Sequence, residues 1–142
     1  MQRLAAPLLL TLALAALGGC AWWETRTSDQ DLLLLTTKQV KQMLAEKEGT
    51  LLLDVRPAEQ YAAEHLPGAI NIHLPELVSD DPRLAHAKQI VVYAGGEEDF
   101  YSPAGAKTLL RESYSNVYDY RGGIEEWVAE GNATVKGGAV EE

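Results

Sequence analysis

Residues 51–72 read LLLDVRPAEQYAAEHLPGAINI, and the order of features in this stretch decides the architecture. An apolar run from Leu51 to Val55 has the length of a strand covered on both faces. Pro57 then suits the first turn of a helix over Ala58–Glu64, where its missing N–H costs nothing. Pro67-Gly68 is a turn dipeptide, and Ala69–Ile72 is a second short strand. A strand, a helix and a strand within some twenty residues make a βαβ unit, and the rest of the chain extends the pattern.

Working outward, Leu32–Leu35, Ile90–Ala94 and Asn116–Tyr120 are further strand-length apolar runs. Thr36 or Thr37 can cap a helix with Val40, Met43 and Leu44 at i, i+3, i+4 spacing, and Gly49 stops it. Ser102-Pro103 reads as a cap followed by proline at the first helical position, with Leu109 and Leu110 inside that helix. Gly122-Gly123 precedes a last short helix containing Trp127. The expected fold is therefore α/β, a three-layer domain of about five mostly parallel strands with helices on both faces. At 142 residues the chain holds one domain. Its expected limits are 31–132, followed by a Gly-rich, acid-ended tail over 133–142 that should fray.

The N-terminus reads as an address. Arg3 precedes an apolar run from Leu4 to Leu17 that ends in Leu17-Gly18-Gly19-Cys20. Fourteen residues at about 1.5 Å each span roughly 21 Å, short of a bilayer core of roughly 30 Å. This is the pattern of a cleavable export signal over 1–19, with Cys20 in the position that is lipidated in bacterial lipoproteins. The alternatives are an uncleaved anchor, or a secretory peptide whose cysteine is incidental. Residues 20–30 would form the lipidated cysteine and a tether, with Trp22 and Trp23 suited to a headgroup interface or to packing on the domain. Two or more acyl chains hold a protein stably at a membrane. Ala21 is not an aspartate of the kind that retains enteric lipoproteins at the inner membrane, so a periplasm-facing outer-membrane location is favoured in the bacterial cell envelope.

Cys20 is the only cysteine, so no intrachain disulfide can form and lipidation would leave no free thiol. The formal charge is −9, and removing residues 1–19 deletes one arginine and no acid to give −10. Such a domain is repelled by nucleic-acid phosphates, and no basic run reverses this.

Asp54-Val55-Arg56, Glu59, Tyr61 and His65-Leu66-Pro67-Gly68-Ala69-Ile70-Asn71-Ile72 resemble the first signature of rhodanese (sulfurtransferase) domains. Asn116-Val117-Tyr118, Gly122-Gly123 and Trp127 resemble the second, and together they span about residues 32–131. Read physically, these are structural positions. Asp54 can accept from the backbone of the following turn, Arg56 can pair with Glu59 or Glu64, and the paired glycines allow unusual backbone conformations.

The resemblance implies a nucleophilic cysteine directly after the strand Ile90–Tyr93, activated by loop N–H groups and the next helix N-terminus. An Arg or Lys in that loop would help to bind anionic donors such as thiosulfate. Here the position is Ala94, and the loop continues Gly95-Gly96-Glu97-Glu98-Asp99-Phe100-Tyr101-Ser102. It is about three residues longer than the common loop of the family, with three acids and no base. A carboxylate a few ångströms from an incoming anion opposes it by about 1–4 kcal/mol.

The expected function is thus a catalytically inactive binding or scaffold module, using no cofactor, held to the membrane through Cys20 and facing an envelope protein partner. Its candidate face comprises residues 94–102 with Asp54, Arg56 and His65. Phe100 either projects as an aromatic anchor or tucks under the loop to fill the vacated space. Two alternatives remain: an active thiosulfate or persulfide sulfurtransferase, and a divalent-cation loop at Glu97, Glu98 and Asp99. Calcium prefers six to eight oxygens, which three adjacent carboxylates rarely supply. A phosphatase reading also lacks its loop cysteine and arginine. His65, His73 and His86 lack ligand-like spacing, so no metal site is expected.

Overall fold

The computed structural model describes residues 28–46, 48–78 and 80–138. Cys20, Trp22, Trp23 and the export signal lie outside the described residues, as do the last four residues of the tail. Five strands form one parallel sheet: β1 (Leu33–Leu34), β2 (Thr50–Asp54), β3 (Ile70–Asn71), β4 (Gln89–Tyr93) and β5 (Val117–Tyr120). Their order is β1-β5-β4-β2-β3. Four helices connect them: α1 (Thr37–Glu46), α2 (Ala58–Ala63), α3 (Tyr101–Arg111) and α4 (Gly123–Ala129).

All five residues of β4 are buried, as the central strand of a doubly covered sheet must be. Its side chains alternate between two cores. Val92 and Ala94 join Leu53, Val55, Ile72, Ala106 and Leu109 on the α3 side. Val91 and Tyr93 join Val40, Met43, Leu52, Tyr120, Ile124 and Trp127 on the α1 and α4 side. Leu44, expected on the inner stripe of α1, is 39% exposed. Val40 and Met43, with Thr37 at the start of the helix, fill that contact. Among the described residues no helix is long and apolar enough to cross a membrane.

Two expectations about chain ends need correction. The helix after β4 begins at Tyr101, so Ser102 lies within its first turn and does not cap it. Asp99 supplies the capping oxygen, accepting from Tyr101 N at 2.9 Å. Pro103 remains in the first turn, where N–H groups have no intrahelical partner. The tail, expected to fray from Ala133, is fastened at Ala133, Val135 and Gly137. Val135 exchanges two backbone hydrogen bonds with His65, each 2.9 Å, and Gly137 N donates to Ala62 O at 2.8 Å. Trp127 Nε1 donates to Ala133 O at 2.8 Å.

Candidate functional site: the loop after β4

Parallel strands end together, so β2, β4 and β5 bring Asp54, Tyr93 and Tyr120 to one edge of the sheet. Ala94 follows Tyr93 at this edge and is 1% exposed. Its methyl group belongs to the α3-side core, so the position contributes packing and no reactive atom.

The loop backbone is satisfied from two directions. Ala94 O and Gly95 O accept from Ile124 N at 3.1 Å and Glu125 N at 2.9 Å, the second and third amides of α4. This approach requires Gly123, whose φ is +57° and whose side, if it carried a Cβ, would strike the carbonyl oxygen of Ala94. The second glycine of the Gly122-Gly123 pair is thus what docks α4 on the loop. On the donor side, the Asp99 carboxylate accepts from Gly95 N at 3.0 Å and from Tyr101 N at 2.9 Å. Asp99 N itself donates to Gly96 O at 2.9 Å.

The neighbouring acids point elsewhere. Glu97 and Glu98 are exposed while Asp99 is half-buried, so the three consecutive carboxylates do not converge. Among the described residues no group of three or more His, Cys, Asp or Glu side chains is placed to hold a metal ion. Phe100 does not tuck beneath the loop: it is 69% exposed. Its ring stacks on Tyr101 at a centroid distance of 4.7 Å, which fixes its direction without burying it. Tyr101 in turn leans toward His73 at 6.0 Å, and His73 Nε2 is buried without a hydrogen-bond partner among the described residues.

Asp54, Arg56 and His65 do not share this accessible surface. Asp54 is fully buried and accepts from Arg56 N, at 3.0 Å, as its position after a strand predicts. The partner of Arg56 is neither Glu59 nor the Glu64 carboxylate. Its guanidinium grips Asp54 through Nε at 3.0 Å and Nη2 at 2.6 Å, and Nη2 also donates to Glu64 O at 2.7 Å. A carboxylate two residues back in a buried turn is nearer than one on the next helix, and a planar guanidinium matches it with two bonds. Burial pulls the Arg56 pKa down, but the Asp54 carboxylate outweighs this and leaves it above its ordinary value. Beneath the pair, burial and the Asp54 charge push the Tyr93 hydroxyl far above its usual range. Tyr93 Oη accepts from Leu66 N at 3.1 Å. His65 is 5% exposed, stacks on Tyr61 at 3.8 Å and places Nδ1 2.8 Å from Tyr61 O. All three are consumed in holding the turn.

Ser102 is likewise turned inward. Its hydroxyl donates to the fully buried carboxylate of Asp119 at 2.5 Å, and Arg121 completes that carboxylate through Nε at 3.1 Å and Nη2 at 2.9 Å. Neither Asp119 nor Arg121 figured among the sequence-derived site residues. The available signal was spacing, since Asp54-Val-Arg56, Asp81-Pro-Arg83 and Asp119-Tyr-Arg121 all bind the arginine two residues on. Across the domain, Thr37 Oγ1 donates to Glu126 Oε1 at 2.5 Å and lies 2.8 Å from Tyr120 Oη. Burial, chiefly, pushes the Tyr120 hydroxyl up to about 12.

The parallel sheet, the buried Asp-Val-Arg turn, the Gly-Gly contact and the loop after β4 together define a class. The family model described as a rhodanese-like domain matches residues 36–130, and the chain belongs to that family. Among characterised proteins, it is similar to the thiosulfate sulfurtransferase GlpE of Coxiella burnetii, 27% identical over 86 residues that cover 61% of this chain and 78% of that protein. It is also similar to the adenylyltransferase and sulfurtransferase UBA4 of Candida albicans, 29% identical over 107 residues, 68% of this chain and 24% of that one. The chain spans about a fifth to a third of the first four curated relatives and more of GlpE. Among solved structures, the BH2092 protein of Bacillus halodurans superposes with a TM-score of 0.64 at 28% identity, covering 70% of this chain and 73% of that one. The rhodanese-like domain of the Anabaena Alr3790 protein gives 0.59 at 25%, covering 74% and 85%.

Proposed function

We propose that the chain is a catalytically inactive rhodanese-like module, anchored by lipid on Cys20 in the bacterial cell envelope. There it binds a protein partner through the outer surface of the loop after β4. The observation that carries the reading is the buried methyl group of Ala94 at the end of β4. Sulfur transfer in a sulfurtransferase, which is what GlpE and UBA4 are named, runs through a thiolate. A methyl group cannot form a persulfide. Ser102 is no substitute, because its hydroxyl is committed to Asp119.

What the loop does offer is a rigid aromatic ring flanked by acids, with the surface formed by Glu97, Glu98 and Phe100. An exposed ring held by stacking is a preorganised contact that loses little freedom on binding. Asp54, Arg56 and His65 fasten the neighbouring turn after β2, and Ser102 ties the start of α3 to Asp119. The lipobox-like Leu17-Gly18-Gly19-Cys20 supports the membrane address, with the outer membrane favoured by Ala21.

The decisive assay is thiosulfate–cyanide sulfur transfer by the full chain carrying Cys20→Ser. Background turnover is expected, and robust turnover would overturn the inactive reading in favour of the sulfurtransferase alternative. Metabolic labelling with palmitate should mark the natural chain and not the Cys20→Ser variant; an unlabelled natural chain would remove the anchor. For binding, Phe100→Ser with Glu97→Gln and Glu98→Gln should abolish capture of an envelope partner recovered by crosslinking at position 98. Unchanged capture would rule out the loop surface.

A further inference from the structure

Loss of the thiol is not the only change at this loop. We propose that Asp99 is an internal counter-ligand that closes the loop, so that it rejects anionic sulfur donors even when a thiol is placed at position 94. This inference rests on the reading of an inactive domain and deepens it by naming the residue that maintains the inactivity.

One carboxylate holds both Gly95 N and Tyr101 N, the donors at the two ends of the loop, at 3.0 and 2.9 Å. The backbone of the same residue is tied to Gly96 O at 2.9 Å, which fixes the loop around it, and turning the side chain out would cost both carboxylate bonds. A Cβ on Gly95 would stand 2.9 Å from Asp99 Oδ2, which puts a negative oxygen within one peptide unit of Ala94. The carboxylate of Glu125 packs against Gly96 on the other side. Residues 94–102 contain no Lys or Arg to offset these charges. The carbonyls of Ala94 and Gly95 are already taken by α4, and that of Gly96 by Asp99 N. Gly95, Asp99 and Tyr101 among the loop donors, and Ala94, Gly95 and Gly96 among its acceptors, are therefore engaged inside the chain.

The consequence follows from charge. In the transfer step a thiolate attacks the outer sulfur of thiosulfate, a new S–S bond forms, the old one breaks, and sulfite leaves with the electron pair. Both reactants are anions and need donors or positive charge close by. Asp99 holds the two donors at the ends of the loop and adds a like charge, which disfavours the thiolate itself.

The test uses the full chain in a Cys20→Ser background, so that A94C provides the sole thiol. A94C alone is compared with A94C plus D99N, which keeps the size of the side chain and removes its charge, and with A94C plus D99A. Thiol ionisation is followed by thiolate ultraviolet absorbance, and persulfide by the mass of the intact protein after thiosulfate. Circular dichroism checks the fold. With A94C alone the thiol should titrate above the ordinary value of about 8.5, and persulfide should stay at background. D99N should raise the thiolate fraction at neutral pH at least about tenfold, the equivalent of one pKa unit, and produce a persulfide adduct. The inference is overturned if A94C alone acquires persulfide as fast as the Asp99 variants, or if neither Asp99 variant changes the ionisation of the thiol. Turnover by the Cys20→Ser protein with its native Ala94 would instead defeat the inactive reading, so the two failures are distinguishable.

Discussion

Two turns at the same edge of the sheet handle their charges in opposite ways. The turn after β2 buries Asp54 and Arg56 against each other and leaves neither available to a ligand. The loop after β4 turns one acid, Asp99, inward onto its own amides and leaves Glu97, Glu98 and Phe100 in solvent. The difference teaches that a charged residue at the functional edge of this fold is not by itself a functional residue. What decides is whether its bonding capacity has already been used inside the chain. The first turn is a structural fastening, and only the second presents a surface.

The comparison can be broken most sharply at Asp54. Asp54→Ala would strand the Arg56 guanidinium in the interior, and removing one partner of a buried pair costs about 3–5 kcal/mol. Urea denaturation should show that loss, and a loss under 1 kcal/mol would show that the pair is dispensable. Next is Gly123→Ala, which forces a Cβ into a left-handed conformation and toward the Ala94 carbonyl. A loss of about 1–3 kcal/mol is expected, with faster amide exchange at Ile124 and Glu125, whose bonds anchor the loop.

Smaller effects separate the surface from the fastening. Truncation after Asn132 removes the two Val135–His65 bonds and the Trp127–Ala133 bond, each worth about 0.5–1.5 kcal/mol. It should speed exchange at the His65 amide, and unchanged exchange there would mean that the tail holds nothing. A pH titration probes a third Asp-x-Arg pair. The hydrogen bond from Arg83 holds Asp81 below its ordinary carboxylate range against the opposing effect of burial. Its contribution is therefore complete above the unfolded carboxylate value and is lost as the pH falls through the lower, folded one. Asp81→Asn should weaken this acid dependence while leaving the neutral limb parallel. Smallest of all, Glu97→Gln and Glu98→Gln should change stability by no more than about 0.5 kcal/mol. A larger loss would place them in the fold and not on its surface.

Much of the architecture was legible because its signals are local. The strand from Leu51, the helix after Pro57, the turn at Pro67-Gly68 and the strand at Ile70 each depend on neighbours within a few residues. The Asp54 backbone contact was legible for the same reason. The partner of Arg56 was missed because nearby carboxylates on the next helix looked equivalent, and only burial of the turn excluded them. Ser102 had a plausible local role as a cap, yet Asp119 on another strand claimed its hydroxyl. Phe100 is open to two readings in the sequence because a lone aromatic carries no mark of its direction. Its stacking on Tyr101 settled that direction.

By itself, the sequence determined the βαβ order, the acidic balance, the single cysteine and the methyl group at position 94, because each is a matter of composition or of contacts between near neighbours. Tertiary structure alone decided which of three consecutive acids faces inward, that the tail is fastened through His65, and that α4 closes the loop from behind. Those outcomes depend on groups that approach from distant parts of the chain, and a run such as Glu97-Glu98-Asp99 carries no record of what will lie beside each side chain.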